Sequence, residues 1–380
     1  MKTGIIIGGG AVGLAIAGEI ADLVDEFYLV EKESRCGEHG SSRSSEVIHS
    51  GIYYTPGSNK AQLCVEGNQL LQELCKKYIV SHQMVGKLIV AQEKYDKEKN
   101  AEELKMLDFL LERAEHNGVP EVRLIDANEA RKMESNVHCI AALHVPTSGV
   151  FDSAAYLHTL ESIAAGKGVT FVTRTKAVAV EKKHGQFAVT TSIGLEVQEP
   201  MYADILINAA GVYADKVAQM INPENVWQIH PVKGEAMYFR KNRKELQTFM
   251  HIYPAPVTYT LPDGSHGHTT GVHTAWKPDG RVMVGPLYDE KSTDTENYDI
   301  TRSARDFLEK IVGFFPNLRE EDLHPYQAGI QQKLAGGDFV LQPDKAYENA
   351  YHCIGIDSPG LTASLAIAKR VRKYFLGKGI

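Results

Sequence analysis

Gly4-Ile5-Ile6-Ile7-Gly8-Gly9-Gly10-Ala11-Val12-Gly13-Leu14-Ala15-Ile16-Ala17, at the very start of the chain, decides the fold. Ile5-Ile6-Ile7 is a short β-branched run of the kind buried on both faces of a parallel sheet. Gly8, Gly10 and Gly13 fit Gly-x-Gly-x-x-Gly, directly after that strand and opening a small-residue helix, Ala11 to Leu23. Gly8 permits the tight turn, Gly10 lets a pyrophosphate approach the backbone, and Gly13 lets helix and strand pack closely. The helix start at Ala11 and Val12 offers free N–H groups and a partial positive charge.

Phe27 to Val30 reads as the next strand, and Glu31 ends it 18 residues beyond Gly13. A carboxylate there accepts both ribose hydroxyls and repels a 2′-phosphate. A glycine-rich turn without a ligand has no need of a strand, a helix and an acid at this spacing. NAD and FAD share the fingerprint, but the chain carries it only once. A second dinucleotide site of that kind is not indicated, so electrons leave to oxygen, a quinone or a carrier protein.

The chain has 380 residues, 43% hydrophobic and 23% charged, with a net charge of −7. That length suggests two domains or one large discontinuous one, with a full buried core. The acidity argues against nucleic acid, whose phosphates call for clustered Lys and Arg. Cys36, Cys64, Cys75, Cys139 and Cys353 form no Cys-x-x-Cys pair and suit a reducing compartment, so a soluble cytoplasmic protein is expected. The five read as small buried hydrophobes.

Along the chain, charges crowd between Glu93 and Glu103, with Leu104, Met106, Leu107 and Leu110 following at helical spacing: a solvated helix. Gly168 to Val180 reads as strand, then a turn at His184-Gly185 and a strand through Phe187 to Val189. Ala203 to Gly211 reads as a buried strand ending in small residues. From about 225 to 325, Pro, His, Tyr and Thr interleave, with turns such as Pro254-Ala255-Pro256 and Pro262-Asp263-Gly264, which suits antiparallel strands. Leu361, Leu365, Ala368, Val371 and Phe375 mark one face of a final helix. Lys369, Arg370, Arg372, Lys373 and Lys378 make that helix basic. Peripheral docking on an anionic membrane stands beside the plainer reading, cations solvating a helix C-terminus whose dipole favours them. No His/Cys/Asp/Glu cluster has metal-ligand spacing, so no metal is expected.

The stretch Ser41-Ser42-Arg43-Ser44-Ser45-Glu46-Val47-Ile48-His49-Ser50-Gly51-Ile52-Tyr53-Tyr54 resembles the D-amino-acid-oxidase-like flavoprotein superfamily. With Cys64-Val65-Glu66-Gly67, Gly86-Lys87-Leu88-Ile89-Val90-Ala91, Gly271-Val272-His273-Thr274 and Gly355 to Thr362, it resembles the L-2-hydroxyglutarate dehydrogenase/oxidase branch over most of the chain. The resemblance implies an α/β fold, α+β overall. A Rossmann-like FAD-binding domain with a central parallel sheet is expected from 1–80, 147–222 and 326–380. A smaller, mostly antiparallel substrate domain is expected from 81–146 and 223–325. It implies FAD held by Gly8 to Gly13, Glu31 and Lys32, with Ser41, Ser42, Arg43, Ser44 and Ser45 on the pyrophosphate. It places the Val178 backbone at the adenine, and Ala210, Gly211, Gly51 and Gly329 where the cofactor passes close. The turn Ser358-Pro359-Gly360-Leu361-Thr362 then sets a helix N-terminus beneath the flavin N1/O2 edge, where reduction leaves negative charge.

The implied chemistry is hydride transfer from an alcohol carbon to flavin N5 while a base takes the hydroxyl proton. His273 and His49 are the candidate bases, since histidine titrates near neutrality; His49 also suits a flavin contact, and either suits a hydrogen-bonded structural role. Lys233 is the first choice for the substrate's negative charge, with Tyr54 and Tyr238 to orient it. The sequence departs from the branch at Gly329-Ile330-Gln331-Gln332-Lys333, where Arg-Pro-Lys usually follows Gly-Ile, and at Gly285-Pro286-Leu287 in place of Gly-Pro-Asn. Gln331 occupies a substrate position but cannot supply an arginine's bidentate charge, which weighs against a dicarboxylate and against an amino acid. An amine or amino-acid oxidase of glycine or sarcosine type and a glycerol-3-phosphate dehydrogenase use the same scaffold. A flavin-holding subunit without substrate oxidation is the non-enzyme alternative.

Overall fold

The structure is a computed structural model that describes residues 1–260, 266–277, 279–290 and 293–379. The turn expected at Pro262-Asp263-Gly264 lies outside the described residues. Thr3–Ile7 sits near the middle of a six-stranded sheet ordered 340–343, 350–354, 205–208, 3–7, 26–30, 169–172. Its register pairs Ile6 with Leu29 on one side and Ile207 on the other, all parallel; only Val340–Pro343 runs antiparallel. The isoleucine run is therefore walled on both sides, as its β-branched composition requires.

One face of this sheet is covered by the helices Ala11–Ile20, Ser153–Gly166 and Gly360–Gly377, the last also packing on Asn59–Tyr78. The other face carries the hairpin sheet 176–203 and helix Ala214–Ile221, joined through Val180, Phe187, Val189 and Val217. The first helix is shorter than its composition suggests: Ala21–Leu23 tightens into a 3-10 turn. The strand expected over 168–180 is two, Val169–Val172 in the parallel sheet and Lys176–Lys183 in the hairpin sheet. They part at Arg174, whose backbone turns left-handed (φ 56°).

The second half is an eight-stranded sheet ordered 324–334, 229–240, 281–289, 273–276, 251–254, 87–91, 141–145, 123–126, antiparallel except where 87–91 meets 251–254. Strand His324–Leu334 pairs along its length with Ile229–Arg240. The boundary drawn at 326 therefore cuts a strand that hydrogen bonding assigns to this sheet. The charged stretch after Glu93 becomes helix Lys97–Asn117, capped by Asp96 and closed by left-handed Gly118, with Leu107, Leu110 and Ala114 buried.

Glu134 lies in the core of this half with no exposure. Its Oε1 accepts from the Phe249 and Met250 N–H groups and from Thr248 Oγ1 (3.2 Å). Burial nevertheless outweighs these donors and pushes its carboxyl up to about 7. A raised acid favours the protonated fold, so its stabilisation is complete below pH 4.5 and lost as pH climbs through about 7. Glu134→Gln is expected to flatten this loss, worth on the order of 3 kcal/mol, in thermal unfolding measured from pH 4.5 to 8. A wild-type Tm equally flat over that range rules the effect out.

The basic C-terminal helix spends much of its charge inside the chain. Arg372 pairs with Asp22, Lys378 with Glu348 (2.9 Å), and Arg370 donates to Asn59 and Gln62. Among the described residues no helix is long and apolar enough to cross a membrane.

Candidate active site

A cleft of about 2260 Å³ runs from the glycine turn to the inner face of the eight-stranded sheet, well beyond the roughly 300–1,000 Å³ of an ordinary small-ligand pocket. At one end, Gly8, Gly10, Ala11 and Val12 line it. Gly8 holds φ at 111°, and a Cβ there would overlap the Ala209 carbonyl. Helix Ala11–Ile20 has no side-chain cap of its own at Gly10, leaving helix-start N–H groups for an anion; Ser41 Oγ takes the Ala11 N–H at 3.0 Å. Gly13 lines nothing; it lies under the turn, with no room for a Cβ beneath the Gly8 carbonyl. Glu31 is nearly buried, and its two oxygens accept from Gly9 N (2.7 Å) and Glu33 N (2.9 Å). Those bonds fix an ionisable acceptor at the cleft wall with lone pairs to spare for a diol.

Lys32 reaches the cleft but is paired with Glu33 (2.9 Å) and Glu296 (2.8 Å). Arg43 lies over the Tyr298 ring at 3.7 Å, and its buried Nε has no hydrogen-bond partner among the described residues, a donor available to a phosphate. Ser41, Ser44 and Ser45 line the cleft with it. Ser42 does not: it is exposed and donates to the His39 carbonyl. Ala210, Gly211 and Gly329 border the cleft, and a Cβ on Gly329 would press on the Arg43 carbonyl. Around Val178 the ladder shifts register between Ala177 and Ala179; the Val178 side chain is exposed, while Ala177 beside it lines the cleft. Gly51, at φ 100°, packs against Val65.

At the other end, helix Gly360–Gly377 begins at the cleft wall, with Ser358, Pro359, Gly360 and Leu361 lining it and no side-chain cap. Thr362 is buried; its Oγ1 accepts from the His49 backbone N–H (3.2 Å) and donates to the Val47 carbonyl, so it orients His49. His49 Nε2 lies 3.2 Å from Ser358 Oγ, which lies 3.4 Å from the Tyr54 hydroxyl. His273 stacks on Tyr253 with ring centroids 3.7 Å apart and planes at 17°. Its Nδ1 lies 3.0 Å from the Gly271 carbonyl. A carbonyl only accepts, so Nδ1 carries the proton and Nε2 the lone pair. Burial, with Lys87 adding repulsion, holds His273 down to about 3 and His49 well below the ordinary histidine range. His251 is also held down to about 3, but both its nitrogens are spent, on the Gly149 carbonyl and the Trp276 N–H.

Two expected substrate residues lie elsewhere. In strand Ile229–Arg240, Val232, Gly234 and Ala236 face the cleft, so alternation turns Lys233 away. It pairs instead with buried Glu235 at 3.3 Å. Tyr238 follows a bulge and packs with His324, Tyr326 and Arg281. Gln331 does line the cleft: its Nε2 donates to the Tyr288 hydroxyl (3.0 Å), and its buried Oε1 has no hydrogen-bond partner among the described residues.

Sequence reasoning passed over Tyr53, Tyr253, Tyr288 and Lys87. Lys87 had a signal, a lone cation inside the apolar run 86–91. All five cysteines are free thiols pushed up by burial, Cys36 to about 12, which keeps them un-ionised. Among the described residues no group of three or more His, Cys, Asp or Glu is placed to hold a metal ion.

Comparison with known proteins agrees with this geometry. The sequence profile of the FAD dependent oxidoreductase family (DAO) matches residues 5–373. The chain is 30% identical to the mitochondrial L-2-hydroxyglutarate dehydrogenase of Arabidopsis thaliana, over 98% of this chain and 83% of that protein. It is 32% identical to the mitochondrial L-2-hydroxyglutarate dehydrogenase of Caenorhabditis briggsae, over 97% and 91%. Among solved structures, FAD-bound L-alpha-glycerophosphate oxidase from Mycoplasma pneumoniae superposes with a TM-score of 0.86 at 24% identity, covering 99% of this chain and 95% of that one. Glycine oxidase from Bacillus cereus gives 0.78 at 19% identity, covering 100% and 98%. The glycine turn, the buried acid at the cleft wall and the helix start at the far end thus lie within a family architecture, and the chain is a member of the FAD-dependent oxidoreductase (DAO) family.

Proposed function

We infer that the protein oxidises the CH–OH group of a small 2-hydroxy acid of the L-2-hydroxyglutarate type, the substrate named for its relatives. FAD, when bound, supplies the hydride acceptor. The observation that carries the reading is the fixed tautomer of His273, whose Nδ1 proton is held by Gly271 while Nε2 is left as a proton acceptor in the cleft. His273 Nε2 takes the substrate hydroxyl proton. The His49–Ser358–Tyr54 chain also lines the cleft wall and orients the substrate. Gln331 Oε1, an unsatisfied buried acceptor, is matched by a donor such as a hydroxyl, not by a carboxylate. The start of helix Gly360–Gly377 places partial positive charge at the same wall. Ser41, Ser44, Arg43 and Glu31 hold the dinucleotide, and the buried tyrosines exclude water.

Anaerobic mixing with L-2-hydroxy acids, glycine, sarcosine and glycerol-3-phosphate tests the reading. Rapid bleaching of the flavin band is expected with an L-2-hydroxy acid. Bleaching by glycine or glycerol-3-phosphate alone refutes it, and bleaching by dithionite alone indicates a flavin-holding subunit. Reoxidation of the reduced protein by oxygen, a quinone or a carrier protein then identifies the acceptor.

A further inference from the structure

Lys87 lies on a strand buried on both faces and has no exposed surface. Its Nζ has no hydrogen-bond partner among the described residues. It stands 4.0 Å from the centre of the Tyr253 ring and 5.2 Å from that of Tyr53. His273 stacks 3.7 Å from the same Tyr253 ring; two such neighbours cannot share one face, so the ring is sandwiched between ammonium and imidazole. Tyr53, Tyr253, His49 and His273 all line the cleft, and the hydroxyls of Tyr53 and Tyr253 are themselves buried without partners among the described residues. The groups acting on Lys87 or acted on by it are His49, His251, His273, Tyr53, Tyr253 and the Cys64 thiol. None of these is a carboxylate. A buried cation without a counter-ion is costly unless a ligand supplies one.

We propose that Lys87 is the positioning cation of this site, drawing the carboxylate of the substrate to the Tyr53–Tyr253 wall from behind the aromatic rings. This rests on the 2-hydroxy-acid reading for the substrate's chemistry but not for the test. It assigns the positive charge that Lys233, turned away, and Gln331, neutral, do not provide. Burial brings Lys87 down to about 7, so near neutrality the free site holds it only partly charged, and an arriving anion completes its protonation. Anion affinity is then full below pH 7 and falls by about tenfold per pH unit above it. His273 and His251, held near 3, stay neutral throughout this window.

Oxalate, fully ionised above pH 6 and not oxidisable as an alcohol, is the probe, titrated into the FAD-loaded protein from pH 6 to 9 by perturbation of the flavin spectrum. The wild type is expected to lose affinity above pH 7 and to take up close to one proton per site on binding at pH 8 (about one, by the same linkage), read with a pH indicator. Lys87→Arg is expected to bind with a flat profile, and Lys87→Met to bind weakly with a flat profile. A flat wild-type profile, absence of proton uptake, no oxalate binding at any pH, or a Lys87→Met variant that keeps the wild-type slope overturns the proposal. If Lys87→Met fails to retain FAD, the wild-type uptake and the Lys87→Arg profile decide. Should these hold while no 2-hydroxy acid bleaches the flavin, the assignment of Lys87 stands and the substrate reading falls.

Discussion

His273→Ala is expected to keep its FAD and to slow reduction of the flavin by substrate by about 10²–10⁴-fold, the usual worth of a positioned proton acceptor. The side chain lies outside the glycine turn, Glu31 and the Ser41–Ser45 stretch proposed to hold the dinucleotide, so cofactor content should not change. Its tautomer is set by one backbone carbonyl, and its ring plane by Tyr253. Replacement therefore removes the acceptor without opening a charged hole. The pH dependence is the sharper test. With His273 held at about 3, the base is already unprotonated across the working range, so the maximal rate of reduction is expected to stay flat from about pH 5 to 8 and to fall only toward pH 3. Stopped-flow reduction of the wild type and of His273→Ala measures both. A wild-type rate in the alanine variant transfers the role to His49, whose Nε2 faces Ser358.

How much of this site was legible in the sequence depended on range. The strand, turn and helix over residues 3–20 are fixed by local chemistry, in which β-branched residues, three glycines and alanines each admit one role, and they form as read. The final helix shows the same locality, since its apolar spacing lies within one segment, and Ala368, Val371 and Phe375 are buried. Residues whose job depends on which face of a strand meets the cleft were harder to place. Lys233 stands in a strand whose alternation is plain, yet nothing local says that 232, 234 and 236 rather than 233 and 235 look inward. Tyr238 packs on Tyr326, beside Ala236, yet does not line the cleft, and nothing local says where along the strand the cleft ends. Lys87 is the opposite case. Its strand is legible, but its meaning appears only when segments 49–54, 251–254 and 271–273 close around it.

Gly13→Ala is expected to abolish FAD retention and to destabilise the fold by at least about 3 kcal/mol, at the upper end of what overpacking costs. The added methyl would fall on the Gly8 carbonyl oxygen, and neither partner can retreat. Gly8 is pinned by its N–H to the Val30 carbonyl (2.9 Å) and by its own left-handed-side φ of 111°. Gly13 lies in a helix whose neighbours Leu14, Ile16 and Ala17 are fully buried against the sheet. Relief requires the helix to lift off the strand, which carries the helix-start N–H groups away from the pyrophosphate position. Gly57→Ala is the matched control: its φ is also positive, at 80°, but nothing lies within 4 Å of the added carbon. It should cost only the left-handed backbone penalty of about 1–2 kcal/mol and leave the protein yellow. Flavin absorbance per protein and Tm for the two variants separate steric closure of the turn from general intolerance of glycine replacement. A Gly13→Ala protein with full flavin content would mean that the close approach of helix to strand is not what shapes the dinucleotide cradle.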